Sequence, residues 1–257
     1  MDAIEWSKVK PYLIYVLTFS AGIYTNMKAL EGSNVDTVIV FRCCTPIAVS
    51  ICDYLFLGRQ LSNMRSGFAL LLLLVGAVGY VTADNAFRMD GAGAYFWVTV
   101  YFVLLCFNMI YGKQIVDAVP MKSMWGPALY SNFLSIPPTL AMGLAAGEQD
   151  RVSEVVWTQK ALALLLLSCV LGVGISFTGW YARKAVSATL YTLVGVMNKL
   201  LTVVVNLLIW DQHSSAVGLM WLVLCIVAGS IYQQAPMRQH PHTALEEGLK
   251  DGGGSRS

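Results

Sequence analysis

A chain of 257 residues that is 56% hydrophobic and only 12% charged, with mean hydropathy +0.61, has the composition of a multi-span membrane protein and not of a soluble domain. Its formal net charge of +2 comes from scattered residues. No basic block with interleaved aromatics occurs, so nothing supports nucleic acid as a partner.

Residues 1–10 lack the n-region and cleavage site of a secretory signal peptide and read as a cytosolic segment. Apolar runs follow at about 11–30, 35–57, 67–84, 93–112, 125–146, 160–179, 186–210 and 216–234. Each is close to the ~20 residues that a helix needs to cross about 30 Å of hydrocarbon. The runs are continuous and do not alternate, which selects helices over a barrel. The expected fold is therefore all-α: a polytopic membrane helix bundle of eight transmembrane helices over 11–234, followed by a polar, disordered tail at 235–257. The breaks sort by charge. Lys8, Lys10, Arg59, Arg65, Lys113, Lys122, Arg183, Lys184 and Arg238 fall on one side, and Glu31, Glu148, Asp150, Glu154 and Asp211 on the other. The positive-inside rule puts the basic side, with both termini, in the cytosol.

Taken in order, the runs carry few polar residues, and these are informative. Lys28 lies near the end of the first run, where it can snorkel. Arg42 lies well inside the second, in Val38-Ile-Val-Phe-Arg42. In the third, Gly76 and Gly79 share a face suited to close helix packing. The fifth holds Tyr130-Ser131-Asn132 and then Ser135, Pro137 and Pro138. Asn132 and Ser135 share a face there. An amide that donates and accepts at once can read the edge of a nucleobase, although an interhelical hydrogen bond would also explain it. Gly172, Ser176 and Gly179 line one face of the sixth run, again with close packing as the plainer reading. The prolines are expected to kink the fifth helix.

The seventh run holds the densest signal. Ser187, Tyr191, Gly195, Asn198 and Lys199 recur at intervals of four or three and share one helical face, which Thr202 and Asn206 continue. A cation facing lipid is expensive, so Lys199 must face protein, water or an anionic ligand. Gly195, one turn earlier, lets a ligand approach the backbone. Acidic residues inside the runs are scarce, so the interior carries excess positive charge, as an anionic solute requires. The six cysteines lie in apolar runs without a CxxC pair or a neighbouring His, and read as packing residues. The three histidines fall in a loop or the tail, and no acids pair across runs. Neither an enzyme nor a metal or cofactor site is expected.

Gly195-Val-Met-Asn198-Lys199 resembles the Gly-Ala-Leu-Asn-Lys signature of the Golgi GDP-mannose and GDP-sugar transporters, within the drug/metabolite transporter superfamily of nucleotide-sugar carriers. The resemblance runs from about Tyr24 to Gln234. It includes Ser187-Ala-Thr-Leu-Tyr191, Gly76-Ala-Val-Gly-Tyr80 and Trp210-Asp-Gln-His213. It implies a ten-helix inverted-repeat fold in a multi-pass Golgi membrane protein that exchanges a GDP-sugar for GMP. The carried-over contacts are Gly195, Val196, Asn198 and Lys199 at phosphate and ribose, Tyr191 at the sugar, and Ser176 at the nucleotide. The family's guanine-reading Phe-Tyr-Asn-Asn stands here as Leu129-Tyr130-Ser131-Asn132, so one asparagine is replaced by serine. Measured against the ten-helix pattern, the sequence begins where the third helix would. A partial chain or short form is the favoured explanation, ahead of a non-transporting subunit that associates with full-length carriers. The expected partners are the nucleotide-sugar, a nucleoside monophosphate and the bilayer, with a homodimer and GDP-fucose or another nucleotide-sugar left open.

Overall fold

The computed structural model describes residues 5–33, 35–83, 91–150, 155, 157–209 and 216–238. Eight long helices account for most of them: α1 (Trp6–Gly32), α2 (Val35–Phe56), α3 (Met64–Ala83), α4 (Gly91–Ala118), α5 (Trp125–Ala145), α6 (Gln159–Ala185), α7 (Ala188–Ile209) and α8 (Ala216–Ile231). Each coincides with one of the expected apolar runs. By length and hydropathy, five helices contain a membrane-crossing stretch: α2, α3, α4, α6 and α7. The 16-residue α8 is apolar but shorter. In α1 the charges of Lys8, Lys10, Lys28 and Glu31 dilute the hydropathy, and in α5 the polar residues and Pro137-Pro138 do so.

The exterior differs from that of a water-soluble bundle, being as apolar as the packed interior. Large apolar side chains point outward on all eight helices, among them Leu17, Leu55, Phe68, Val103, Phe133, Leu166, Leu201 and Val223. Thr45, Asp53, Asn108, Lys113, Arg183 and Thr192 are buried. A lipid surround stabilises this arrangement, because it solvates the apolar exterior and drives polar groups inward.

Two packed clusters hold the helices together. One joins α2, α3, α7 and α8 through Cys43, Leu73, Ala77, Leu193, Leu200 and Cys225. The other joins α1, α4, α5 and α6 through Tyr12, Tyr15, Ile115, Tyr130 and Trp180. Contacts of α2 and α7 with α4 tie the clusters together across the middle. Gly76 and Gly79 are packing residues, as their spacing predicted. A Cβ on Gly76 would fall 2.6 Å from Cys225 Sγ, and one on Gly79 would meet the indole of Trp221.

The α6–α7 junction is fixed by charge at both helix ends. Lys113 Nζ donates to the carbonyls of Arg183 (2.9 Å) and Lys184 (3.2 Å), closing the C-terminus of α6. One oxygen of the Asp53 carboxylate accepts from Thr189 N (2.9 Å) and from the Thr189 hydroxyl, closing the N-terminus of α7. Ser187 Oγ accepts from Leu190 N at 3.0 Å as a second cap. A cation on the carbonyl end and a carboxylate on the amide end match the helix dipoles. Ser187 therefore sits on the expected stripe but serves as a cap, with 1% exposure.

Beyond α8 the described residues continue to Arg238. Arg59 Nη1 donates to Ala235 O at 2.8 Å, Gln60 N to Pro236 O at 3.0 Å, and Arg238 N to Gly58 O at 2.9 Å. These backbone partners pin 235–238 against the α2–α3 turn. The remainder of the expected tail, 239–257, lies outside the described residues.

Candidate functional site

The interior between the two clusters is open. A cavity of about 440 Å³ lies between α2, α4, α6 and α7 and is lined by Arg42, Thr45, Met109, Thr178, Gly195, Asn198 and Lys199, among others. A second, of about 310 Å³, is walled by Tyr15, Asn132, Ser176, Trp180 and Arg183. A third, of about 340 Å³, is walled by Asn26, Arg42, Tyr101 and Asn108. The first two share Ile175, Gly179 and Tyr191, the first and third share Arg42, Leu105 and Met109, and the second and third share Tyr15 and Phe19. They are lobes of one chamber, and each is of the size that holds small molecules, about 300–1,000 Å³.

The chamber is electropositive. Arg42, Arg183 and Lys199 line it, and among the described residues no acidic one does. Among the described residues no carboxylate lies within ion-pair distance of any of the three; the ion pairs present join Lys8 to Glu5, Lys28 to Glu31 and Lys113 to Asp117. Lys28 is thereby accounted for at the end of α1. Lys199 lies eleven residues into the 22-residue α7. At ~1.5 Å per residue this is about 17 Å along the axis, half-way through a hydrocarbon layer of about 30 Å. Arg42 is held over the Tyr101 ring, 5.3 Å from its centroid.

All eight residues expected at the site border the chamber. Tyr191, Gly195, Val196, Asn198 and Lys199 line the largest lobe, and Ser131, Asn132, Ser176 and again Tyr191 line the second. A Cβ built on Gly195 meets nothing within 4 Å, in contrast to Gly76 and Gly79, so this glycine opens onto space and packs against nothing. The Val196 side chain is 5% exposed and belongs to the α2/α3/α7/α8 cluster. Ser176 Oγ donates to Asn132 Oδ1 at 3.1 Å across α5 and α6, so the acceptor of the Asn132 amide is engaged and its N–H groups are not used in that bond. Ser131 is already committed: its hydroxyl donates to Ala128 O at 3.2 Å and accepts from Trp180 Nε1 at 2.8 Å. It orients Trp180 and has little capacity for a ligand. The Thr202 hydroxyl turns back to Asn198 O at 2.8 Å, so the polar stripe stops working as a cavity wall at Lys199. The Asn206 side chain lies outside the described residues.

One cavity residue lies where sequence reasoning put a cytosolic loop. Arg183, expected with Lys184 in the basic break after the sixth run, is still helical and only 7% exposed. Its guanidinium lies 5.5, 5.3 and 4.5 Å from the ring centroids of Tyr15, Trp180 and Tyr191. Nη1 donates to Asn108 O at 3.1 Å and Nη2 to Tyr15 Oη at 3.2 Å. A side chain at position 112 would collide with Nη1, so Gly112 of α4 makes the space. The burial follows from aromatic faces that attract a cation and from Lys113, which extends α6 through the last basic pair. The signal was available: Gly172, Ser176 and Gly179 continue to Arg183 at the same helical spacing.

Helices with an apolar exterior around a chamber lined by Arg42, Arg183 and Lys199, with no acidic lining residue among those described, define a multi-span helical membrane protein with a basic interior. Comparison with curated proteins narrows this. GDP-fucose transporter 1 of Arabidopsis thaliana is 37% identical over 253 residues, covering 96% of this chain and 73% of that protein. GDP-mannose transporter GONST3 of the same plant is 35% identical over 244 residues, covering 93% of this chain and 64% of that protein. GDP-mannose transporter 1 of Saccharomyces cerevisiae is 23% identical over 261 residues, covering 96% and 75%. No family model matches the chain. On the strength of the first relative, the chain belongs to the nucleotide-sugar transporter family. Its relatives are transporters and not enzymes, so membership brings no catalytic reaction with it.

Proposed function

We propose that this chain carries a GDP-sugar, GDP-mannose or GDP-fucose, across the Golgi membrane in exchange for GMP. The observation that carries the reading is the chamber itself: Lys199 and Arg42 line one lobe at mid-membrane depth with no acidic residue beside them. A diphosphate of about two negative charges is the counter-ion such a lobe lacks. Lys199 holds the diphosphate, which the missing side chain at Gly195 lets approach the helix beside Val196, with Asn198 at the ribose. Asn132, steadied by Ser176, presents its amide to the base, and Ser131 supports that wall through Trp180. Tyr191, which lines both lobes, faces the sugar. The concentration of Arg59, Arg65, Lys122 and Arg238 at the end bearing the α6–α7 junction supports a cytosolic position for that end.

A loaded cavity neutralises its cations and an empty one does not. Passage through the membrane is therefore easier for the carrier with a phosphate-bearing solute bound, in either direction. GMP keeps a phosphate and can occupy the same lobe on the return. The names of the relatives include both fucose and mannose carriers, and the proposal accordingly leaves the sugar between the two.

The test is uptake of labelled GDP-mannose and GDP-fucose into proteoliposomes preloaded with GMP, UMP or CMP. GMP preloading alone should drive exchange. Lys199→Ala should weaken it about 10- to 100-fold, the equivalent of one lost charge-assisted contact of about 1.5–3 kcal/mol. Asn132→Ala should reduce the preference for GMP over UMP. Exchange by Lys199→Ala at the wild-type rate would refute the reading.

A further inference from the structure

We infer that Arg183 forms a second anion subsite, distinct from the one at Lys199, that takes the phosphate group of a nucleotide at the α6–α7 end of the chamber. The inference rests on the nucleotide-sugar reading above, and it starts from a buried cation whose charge nothing in its surroundings cancels. Arg183 is 7% exposed, and among the described residues no carboxylate pairs with it. Tyr15, Trp180 and Tyr191 surround it with ring faces. Ring quadrupoles attract a guanidinium but do not cancel its charge, and an uncompensated buried ion is costly. A side chain kept in that condition is explained by an anion that is present for part of the working cycle.

The geometry supports this. The guanidinium has five N–H donors. One goes to Asn108 O and one to Tyr15 Oη. Donors are left over, and the side chain borders the 310 Å³ lobe. Its planar fork suits phosphate oxygens, and rings on three sides hold the fork in place before the ligand arrives. The site is separate from Lys199. Arg183 stacks on Tyr191, which precedes Lys199 by two helical turns, about 12 Å along α7 at ~1.5 Å per residue. Tyr191 lines both lobes, so an anion that leaves one cation passes directly to the other. Lys113 is drawn off by the α6 carbonyls and Asp117 and does not compete for the ligand.

The experiment is equilibrium binding of GMP and of guanosine to the purified full chain in detergent, for wild type, Arg183→Gln, Arg183→Lys and Lys199→Ala. Arg183→Gln should weaken GMP about 10- to 100-fold, in line with loss of a charge-assisted phosphate contact, and leave guanosine within about twofold of wild type. Arg183→Lys keeps the charge without the fork and should fall between. It also decides the matter if the glutamine variant does not fold. Two results overturn the inference: wild-type GMP affinity in the variant read, or an equal loss for GMP and guanosine, which marks a purely structural guanidinium. If Lys199→Ala loses GMP and Arg183→Gln keeps it, the inference falls and the nucleotide reading stands. If the wild type binds neither GMP nor guanosine, both fall.

Discussion

Two glycines offer a sharp contrast, because alanine at each should act in opposite directions on stability. Gly79 of α3 is pressed against Trp221 of α8, and a Cβ there would overlap the indole, 2.6 Å from Cε2 and nearer still to a neighbouring ring atom. Gly195 of α7 has nothing within 4 Å of an added Cβ. Replacing a helical glycine by alanine stabilises by about 0.5–1 kcal/mol where there is room. Overpacking a filled interface costs about 1–3 kcal/mol. Gly79→Ala should therefore be net destabilising by roughly 0–2.5 kcal/mol, and Gly195→Ala stabilising by up to about 1 kcal/mol. For a chain of this length, about 2–4 °C of apparent melting temperature corresponds to each kcal/mol. Gly195→Ala should melt a few degrees higher in detergent than wild type, and Gly79→Ala lower. In transport the order reverses. On the proposed reading the methyl group at 195 takes up space beside the diphosphate and should lower GDP-sugar uptake about 10-fold or more, while Gly79→Ala retains uptake in the fraction that stays folded. A lower melting temperature for Gly195→Ala, or full uptake by it, would refute the assignment of this glycine to the cavity.

The α6–α7 junction yields two further expectations. Asp53→Ala leaves a buried amide and hydroxyl of Thr189 without an acceptor and should lower stability by about 1–3 kcal/mol, read as melting temperature. Asp53→Asn should cost much less, since it keeps one acceptor and puts a neutral group where Asp53 Oδ1 has no partner among the described residues. Lys113→Met keeps the aliphatic stem but uncovers the carbonyls of Arg183 and Lys184. Hydrogen exchange should rise at Val186, whose N–H bonds to Ala182 O in that last turn, and an unchanged rate there would contradict the capping role.

The apolar runs, the membrane class and the Lys199 stripe could all be read from the sequence, because they rest on local physics. In hydrocarbon every backbone group must be satisfied within its own segment. Continuous apolar stretches therefore mark helices, and the 3.6-residue repeat alone brings Tyr191, Gly195, Asn198 and Lys199 onto one face. What those faces meet was decided only when the helices packed. Gly76, Gly79 and Gly195 look alike in sequence, yet two press on α8 and one opens onto a cavity, since the difference lies in which helix stands opposite. Ser187 and Thr202 share the stripe with Lys199 but spend their hydroxyls on helix backbone. Arg183 is the strongest case. Flanked by Lys184 near the end of an apolar run, it reads as an ordinary positive-inside residue. Its burial depends on Tyr15 of α1, Asn108 and Gly112 of α4 and Tyr191 of α7, which lie far from it along the chain and come together only in the folded bundle.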